Sequence, residues 1–189
     1  MRADSERWDA RYRERDPDRV DCPDPLLVAH RGLLDGHGRA LDVACGAGAN
    51  LVELARRGYE AFGLDGSIEG LRLARRAADR AGVSVSLAAV DLDRFALPRG
   101  WFQVVTVFRY LSRGLVPALR DAVAPGGVLV YRTFNVRHLA RRSGFAPHFV
   151  LQPGELRRWL EGWETIAVDD EAEPAGYDSW IVARRLRDR

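Results

Sequence analysis

From residue 39 onward, short apolar runs and helix-patterned spans take turns along the chain. Residues 39–44 form a short apolar run, residues 50–57 read as a helix that ends at Gly58, and residues 59–64 are apolar again. Residues 68–81 carry apolar side chains at 68, 71, 74, 77 and 78 and stop at Gly82, and residues 83–90 return to a strand pattern. Residues 102–108 are nearly continuously apolar, as expected of a strand covered on both faces. A helix over 115–123, a Pro125-Gly126-Gly127 turn, a strand over 128–133 and a short helix from Pro153 follow. Two last strands, 165–168 and 179–184, are joined by a polar loop. This alternation predicts an α/β fold, a doubly wound parallel sheet with helices on both faces joined by right-handed crossovers.

Ahead of the alternating region, Asp4 or Ser5 can cap a helix running to residue 15, with Trp8 and Tyr12 four residues apart on one face. Asp16-Pro17-Asp18 breaks it, and Pro23 and Pro25 open a second helix, LLVAHRGLL, ended by Gly36 and Gly38. Residues 135–152 lack clear periodicity and are long for a loop, a form that lids and binding segments often take. The 189 residues suit one domain, 1–189, with the helices of 1–36 placed to act as a lid and 135–152 as an irregular segment on the substrate side.

Composition narrows the function classes. Two cysteines, Cys22 and Cys45, make neither a disulfide framework nor a zinc pattern, so no metal is expected. No apolar run approaches a membrane span, and the charged start MRADSERWDA lacks a signal-peptide core, which leaves the cytoplasm as the expected compartment. There is no lysine, so all 29 basic residues are arginine, yet the net charge is only +2. The pairs Arg56-Arg57, Arg75-Arg76, Arg141-Arg142, Arg157-Arg158 and Arg184-Arg185 are scattered, not gathered into the basic stripe that nucleic acid requires.

The residues richest in chemistry are LDVACGAGAN, 41–50. A strand runs into a glycine turn and a helix starts at once, so backbone can approach a ligand at Gly46 and Gly48. A dinucleotide loop would carry a third glycine, but Leu51 stands there, which disfavours a dehydrogenase. Asp42 lies inside the strand, where a carboxylate repels pyrophosphate and suits an ammonium group. Asp65 ends the second strand, nineteen positions after Gly46, where a carboxylate can take ribose hydroxyls, and Asp91 ends the third. Three consecutive strands thus end beside a carboxylate at one sheet edge, the edge at which open α/β sheets bind ligands.

Together with AFGLDGSIEG, AVDLD, FQVVTVFRYL and APGGVLVYRTF, this loop resembles the class I S-adenosylmethionine-dependent methyltransferases. Within that class, DVACGAGAN, TVFRYLSRGLVPAL, PHFVLQPGEL and the N-terminal WDARY are most similar to the small bacterial tellurite-resistance and thiopurine-type methyltransferases. The resemblance implies a Rossmann-like seven-stranded sheet, mostly parallel, whose last strand is antiparallel. It implies S-adenosyl-L-methionine as cofactor and S-adenosyl-L-homocysteine as product. It assigns Asp42, Ala44, Cys45, Gly46, Gly48 and Asn50 to the methionine-side loop and Asp65 to the ribose. Gly66, Ser67 and Ile68 would lie along the adenosine, Asp91 and Leu92 would frame adenine, and Phe108 and Arg109 would face the sulfur. Two departures stand out: Arg132 occupies a position where that subgroup more often has glutamate, and the proline-rich tetrapeptide of adenine-directed amino methyltransferases is replaced by Phe108-Arg109-Tyr110-Leu111.

Methyl transfer asks mainly for alignment and exclusion of water, and it needs a base only when the nucleophile is protonated. Arg109 and Arg132, at the ends of adjacent expected strands, can fork a carboxylate, phosphate or oxyanion, which points to a small anionic acceptor, while the subgroup resemblance implies a chalcogen or thiol acceptor. His138, with His148 beside it, is the nearest candidate base, and Trp8 and Tyr12 could close over the sulfonium. The expected partner is a small molecule handled by a monomer or homodimer. An RNA-directed methyltransferase and a non-catalytic S-adenosylmethionine-binding protein are the alternatives.

Overall fold

The computed structural model describes residues 2–171 and 176–187, so part of the polar loop expected before the last strand lies outside the described residues. The strands follow the order β3-β2-β1-β4-β5-β7-β6 in one seven-stranded sheet, as the alternation and the resemblance imply. The chain packs as two compact units, residues 1–95 and 96–189.

The first unit holds β1 (Arg39–Val43), β2 (Glu60–Asp65) and β3 (Val85–Ala89), all parallel, with Asp42 opposite Gly63 and Val43 opposite Leu64. Helices α1 (Arg2–Arg13), α2 (Pro25–Ala29), α3 (Ala49–Arg56) and α4 (Ile68–Ala81) accompany them. The spacing that marks residues 68–81 as a helix puts Leu71, Ala74 and Ala78 in the core. Ser67 caps the start of α4 by accepting the Gly70 N–H, and Gly82 ends it at φ 66°. Gly63 is required by packing, since a Cβ there would stand 2.6 Å from Leu51 and 2.9 Å from the Cys45 sulfur. Helix α1 spans Arg2–Arg13 and not residues up to 15, and the second expected helix shortens to α2 plus a 3₁₀ turn over Arg31–Leu33. Asp24 caps α2 by accepting the Leu26 N–H at 2.9 Å, and Pro25 follows at the first helical position, where its missing N–H costs nothing.

The second unit holds β4 (Phe102–Phe108), α5 (Val116–Ala122), β5 (Val123–Phe134), α6 (Arg137–Arg141), α7 (Glu155–Trp159), β6 (Glu164–Asp169) and β7 (Asp178–Arg184). Strand β5 runs parallel to β4, and β7 runs antiparallel to both β5 and β6. The turn expected at 125–127 lies inside β5: the register jumps from Phe102 opposite Val123 to Val104 opposite Val128, and Gly126, at φ 82°, keeps its N–H bonded to the Arg185 carbonyl at 2.8 Å. The stretch 135–152 is more ordered than its pattern suggests. It contains α6 and a 3₁₀ turn over Pro147–Phe149, and Asn135 bridges to Leu151. Five-residue helices carry too few repeats to show a 3.6-residue period. Among the described residues, no helix is long and apolar enough to cross a membrane.

Candidate active site

In the first unit the glycine loop is built around Asp65. Its Oδ2 accepts the Gly46 N–H and its Oδ1 accepts the Ser67 N–H, both at 2.8 Å, so one carboxylate ties the β1–α3 loop to the start of α4. Burial pushes the Asp65 pKa up, against the lowering effect of the Ser67, Gly46 and Gly66 N–H groups. Asp42, 1% exposed, is the last residue but one of β1, ahead of the same loop. Ala44 takes the left-handed φ of 57° and Gly46 that of 51°, which folds the loop sharply back before α3. Ile68 opens α4 with its apolar side chain 52% exposed, and Leu92 is buried nearby in sequence after β3. Asp91 spends one oxygen on a turn, accepting the Asp93 N–H at 3.2 Å.

Helix α1 lies over these strand ends with the face that carries Ser5, Asp9 and Tyr12. A Cβ on Gly66 would meet Ser5 Oγ at 3.1 Å. Asp9 Oδ1 accepts both the Ser67 hydroxyl, at 2.5 Å, and the Glu69 N–H, at 3.1 Å, so α1 supplies a second cap to α4. Burial works against this carboxylate, but the Ser67 and Glu69 bonds, with Arg13 nearby, hold its pKa below the usual value. The Tyr12 hydroxyl stands over Gly46 where a Cβ would be, and the Tyr12 ring lies 3.0 Å from a Cβ placed on Gly70. Burial, with Asp65 and Cys45 as neighbours, raises the Tyr12 pKa, so the phenol stays a proton donor at neutral pH. Trp8 packs on Tyr12 at 5.9 Å between ring centres and remains 39% exposed.

Two residues of the loop make contacts within the protein. Asn50 Oδ1 accepts the Asp24 N–H at 2.7 Å and so holds α2. The Cys45 thiol is buried, and burial together with Asp42 and Asp65 raises its pKa. Asp9 was not legible as a site residue. The signal for it is the polar stripe Ser5, Asp9, Tyr12 at i, i+4 and i+7, which identifies the inner face of α1 better than the Trp8–Tyr12 pair does.

The two loop glycines make a paired test. A Cβ on Gly48, at φ 83°, would lie 2.7 Å from the Ala74 Cβ and 2.9 Å from its Cα, atoms that cannot swing away. Gly48→Ala is therefore expected to cost about 2–4 kcal/mol in urea unfolding, from backbone strain and overpacking. At Gly46 the obstacle is only the tip of Tyr12. Gly46→Ala should displace Tyr12, and a Tyr12→Phe background should recover about 1 kcal/mol of the loss, while leaving the Gly48→Ala cost unchanged.

In the second unit, Phe108 is buried at the end of β4 and Arg109 follows it, exposed, with φ 57° and its N–H on the Arg132 carbonyl at 2.8 Å. Such a φ is uncommon outside glycine and strains the strand end. Arg132 is paired with Asp178, its Nε and Nη2 standing 3.0 and 2.8 Å from one carboxylate oxygen. His138 is buried on α6, stacked on Phe134 at 4.0 Å. His148 is exposed. Among the described residues, no group of His, Cys, Asp and Glu could hold a metal ion.

These residues fit the methyl donor on the observations of this structure: a glycine-lined turn beside buried carboxylates, and an exposed apolar side chain at the start of α4. Comparison with known proteins agrees. Residues 40–127 match the family described as Methyltransferase domain. The chain is 30% identical over 159 residues to the ubiquinone biosynthesis O-methyltransferase of Erwinia tasmaniensis, covering 71% of this chain and 64% of that protein. It is 30% identical over 166 residues to the 2-heptyl-1-hydroxyquinolin-4(1H)-one methyltransferase of Mycobacteroides abscessus, covering 81% of this chain and 68% of that one. It thus spans about two thirds of the length of these relatives. A SAM-dependent methyltransferase from Aquifex aeolicus shares the fold with a TM-score of 0.67 at 19% identity, covering 97% of this chain and 98% of that chain. On the loop, the sheet order and these matches, the chain belongs to the class I S-adenosylmethionine-dependent methyltransferases.

Proposed function

We propose that the chain works as one methyltransferase domain that moves a methyl group from S-adenosylmethionine to a small acceptor and releases S-adenosylhomocysteine. The observation that carries this reading is the pair of hydrogen bonds that the Asp65 carboxylate accepts from the Gly46 and Ser67 N–H groups, which ties the glycine turn to the start of α4 beside buried carboxylates. A carboxylate offers about four acceptor sites. Asp65 can therefore keep both backbone bonds and still take ribose hydroxyls. Asp42 supplies negative charge for the ammonium group, Ile68 covers an adenine face, and Tyr12 moves from Gly46 to close over the methionine part. When bound, the cofactor supplies a methyl carbon already activated by its sulfonium. The protein's part is alignment and exclusion of water.

The acceptor reading is a small molecule with an oxygen nucleophile and negative charge. The names of the two relatives, an O-methyltransferase and a hydroxyquinolone methyltransferase, support oxygen. Since Asp178 already neutralises Arg132, the grip on an anion falls first to the exposed Arg109. A thiol or chalcogen acceptor is the second reading, supported by the DVACGAGAN and PHFVLQPGEL motifs.

Calorimetry with S-adenosylmethionine and S-adenosylhomocysteine tests the first half of the proposal. Product release with a panel of hydroxyaryl acids, hydroxyquinolones, thiols, selenite and tellurite tests the second. Heat with both nucleosides and turnover confined to the oxygen acceptors is the expected result. Absence of heat with either nucleoside sinks the cofactor reading, and turnover confined to thiols or chalcogens replaces the oxygen one.

A further inference from the structure

In the second unit, Arg99, Arg113, Arg132, Arg157 and Arg184 each pair with a carboxylate. Arg120 and Arg185 are held differently. Arg120 Nη2 donates to the Glu161 carbonyl at 3.2 Å. Arg185 Nη1 donates to the Asp121 and Val123 carbonyls at 3.3 and 2.8 Å, which caps the end of α5. A neutral carbonyl fixes a guanidinium in place but leaves its charge uncancelled. Both residues are half-buried, so water screens that charge less than it would on an open surface. Arg120 keeps Nε and Nη1 as donors, and Arg185 keeps Nε and Nη2.

Both arginines line one cleft, made of two adjoining cavities of about 220 and 380 Å³ that share Asp121 and Arg185. Pro125 lines it from the bulge at the start of β5. The Arg185 backbone is clamped to that bulge, its N–H on the Gly127 carbonyl at 2.9 Å and its carbonyl on the Gly126 N–H at 2.8 Å. Pro117 and Trp163 add an apolar and aromatic side. Asp121 is the one carboxylate among the described lining residues, and Arg99, its side chain 83% exposed, already holds it at 2.7 Å. Three guanidiniums against one carboxylate on a concave surface favour an anion. The cleft lies where β4 and β5 begin, whereas Arg109 and Arg132 stand toward the other ends of those strands.

We propose that this cleft is a second ligand site that takes a nucleotide, its phosphate held by Arg120 and Arg185 and its base laid against Trp163. The guanidinium fork matches phosphate oxygens, and an indole beside it offers a stacking face that any base can use. The site goes beyond the methyltransferase reading and does not depend on it. A free nucleotide and a nucleotide at the end of an RNA strand present the same chemistry to these residues.

The probe is guanosine 5′-monophosphate, whose guanine keeps it apart from an adenosine site. It is added to the full chain and followed by NMR through the Trp163 indole N–H, the signal that Trp163→Phe removes. A shift that saturates at millimolar probe is expected. Arg120→Gln should weaken binding by about fivefold or more, through loss of a charged donor pair. Asp121→Asn keeps the backbone carbonyl that Arg185 uses, removes the one negative charge and releases Arg99, so it should tighten binding by about twofold or more. Arginines that served only to hold the bulge would give no such gain. No shift at about 10 mM probe, a smaller loss in Arg120→Gln, or a smaller gain in Asp121→Asn overturns the proposal. Inorganic phosphate that binds as tightly as the probe overturns the role of Trp163. A 5′-phosphorylated RNA octamer settles the source: binding about tenfold tighter than the mononucleotide assigns the site to a strand, and anything weaker assigns it to the free nucleotide.

Discussion

Asp65→Ala is expected to raise the dissociation constant for S-adenosylhomocysteine at least 100-fold and to lower stability by about 3 kcal/mol, because one side chain does two jobs. In the folded chain its two oxygens satisfy the buried N–H groups of Gly46 and Ser67 at 2.8 Å each. Truncation leaves both donors without acceptors, at about 1–3 kcal/mol apiece. The glycine turn loses its tie to α4 at the same moment, so the loss of affinity reflects both missing ribose contacts and a misplaced loop. Asp65→Asn keeps one acceptor oxygen but turns an amide donor toward an N–H donor, and it should therefore destabilise the fold nearly as much. Calorimetry and urea unfolding read the two quantities independently. The pH dependence has a definite sign. Burial raises the folded pKa above the unfolded 3.8, so in the window above 3.8 the folded chain holds this proton more tightly than the unfolded chain does. The Asp65 contribution is thus fully present below 3.8, declines as pH rises through the folded value, and is flat above it. Removing the carboxylate in Asp65→Ala should remove that decline. A stability curve that keeps its slope in the variant would show that another carboxylate is responsible.

The fold was legible because the strongest signals are long and periodic. Residues 68–81 and 102–108 are found with the bounds their patterns predict, since one shows a complete helical stripe and the other a run too apolar to face water. The glycine turn and its acidic neighbours were legible for a different reason: Gly46, Gly48, Asp42 and Asp65 carry backbone and charge requirements that few other residues meet. What escaped is tertiary in origin. Asp9 gains its role only because α1 lies across the start of α4, and nothing in WDARY announces a partner 58 residues away. Arg132 reads as an anion fork until Asp178, on a strand paired antiparallel to its own, is seen to occupy it. The helix α6 was hidden for want of length, because five residues do not complete two turns.

Arg113→Ala is expected to cost about 2–3 kcal/mol, since it removes a guanidinium that is itself 41% exposed from a buried Glu155 carboxylate and leaves that charge behind. Arg113 forks Glu155 through Nε at 2.6 Å and Nη2 at 2.9 Å. The same guanidinium donates to the His148 carbonyl at 2.8 Å and to the Val150 carbonyl at 3.0 Å. Glu155, its side chain only 8% exposed, also accepts the Gln152 N–H at 2.8 Å. One side chain therefore pins both the 147–150 turn and the start of α7. Arg113→Lys keeps the charge but loses the fork, so it should recover less than half of the loss. In Arg113→Met with Glu155→Gln, no uncompensated charge remains, and the double variant should be more stable than Arg113→Ala alone. The consequence reaches the segment after β5. Val150 and Leu151 are fully buried, and Leu151 donates to the Phe134 carbonyl at 2.8 Å, so the pin at Arg113 anchors the C-terminal end of the stretch that carries Phe145 and Phe149. Hydrogen exchange in Arg113→Ala should accelerate across 145–151 while the amides of β1 and β2 keep their protection. If exchange instead rises uniformly over both units, Arg113 is a global stability residue and not the anchor of this segment.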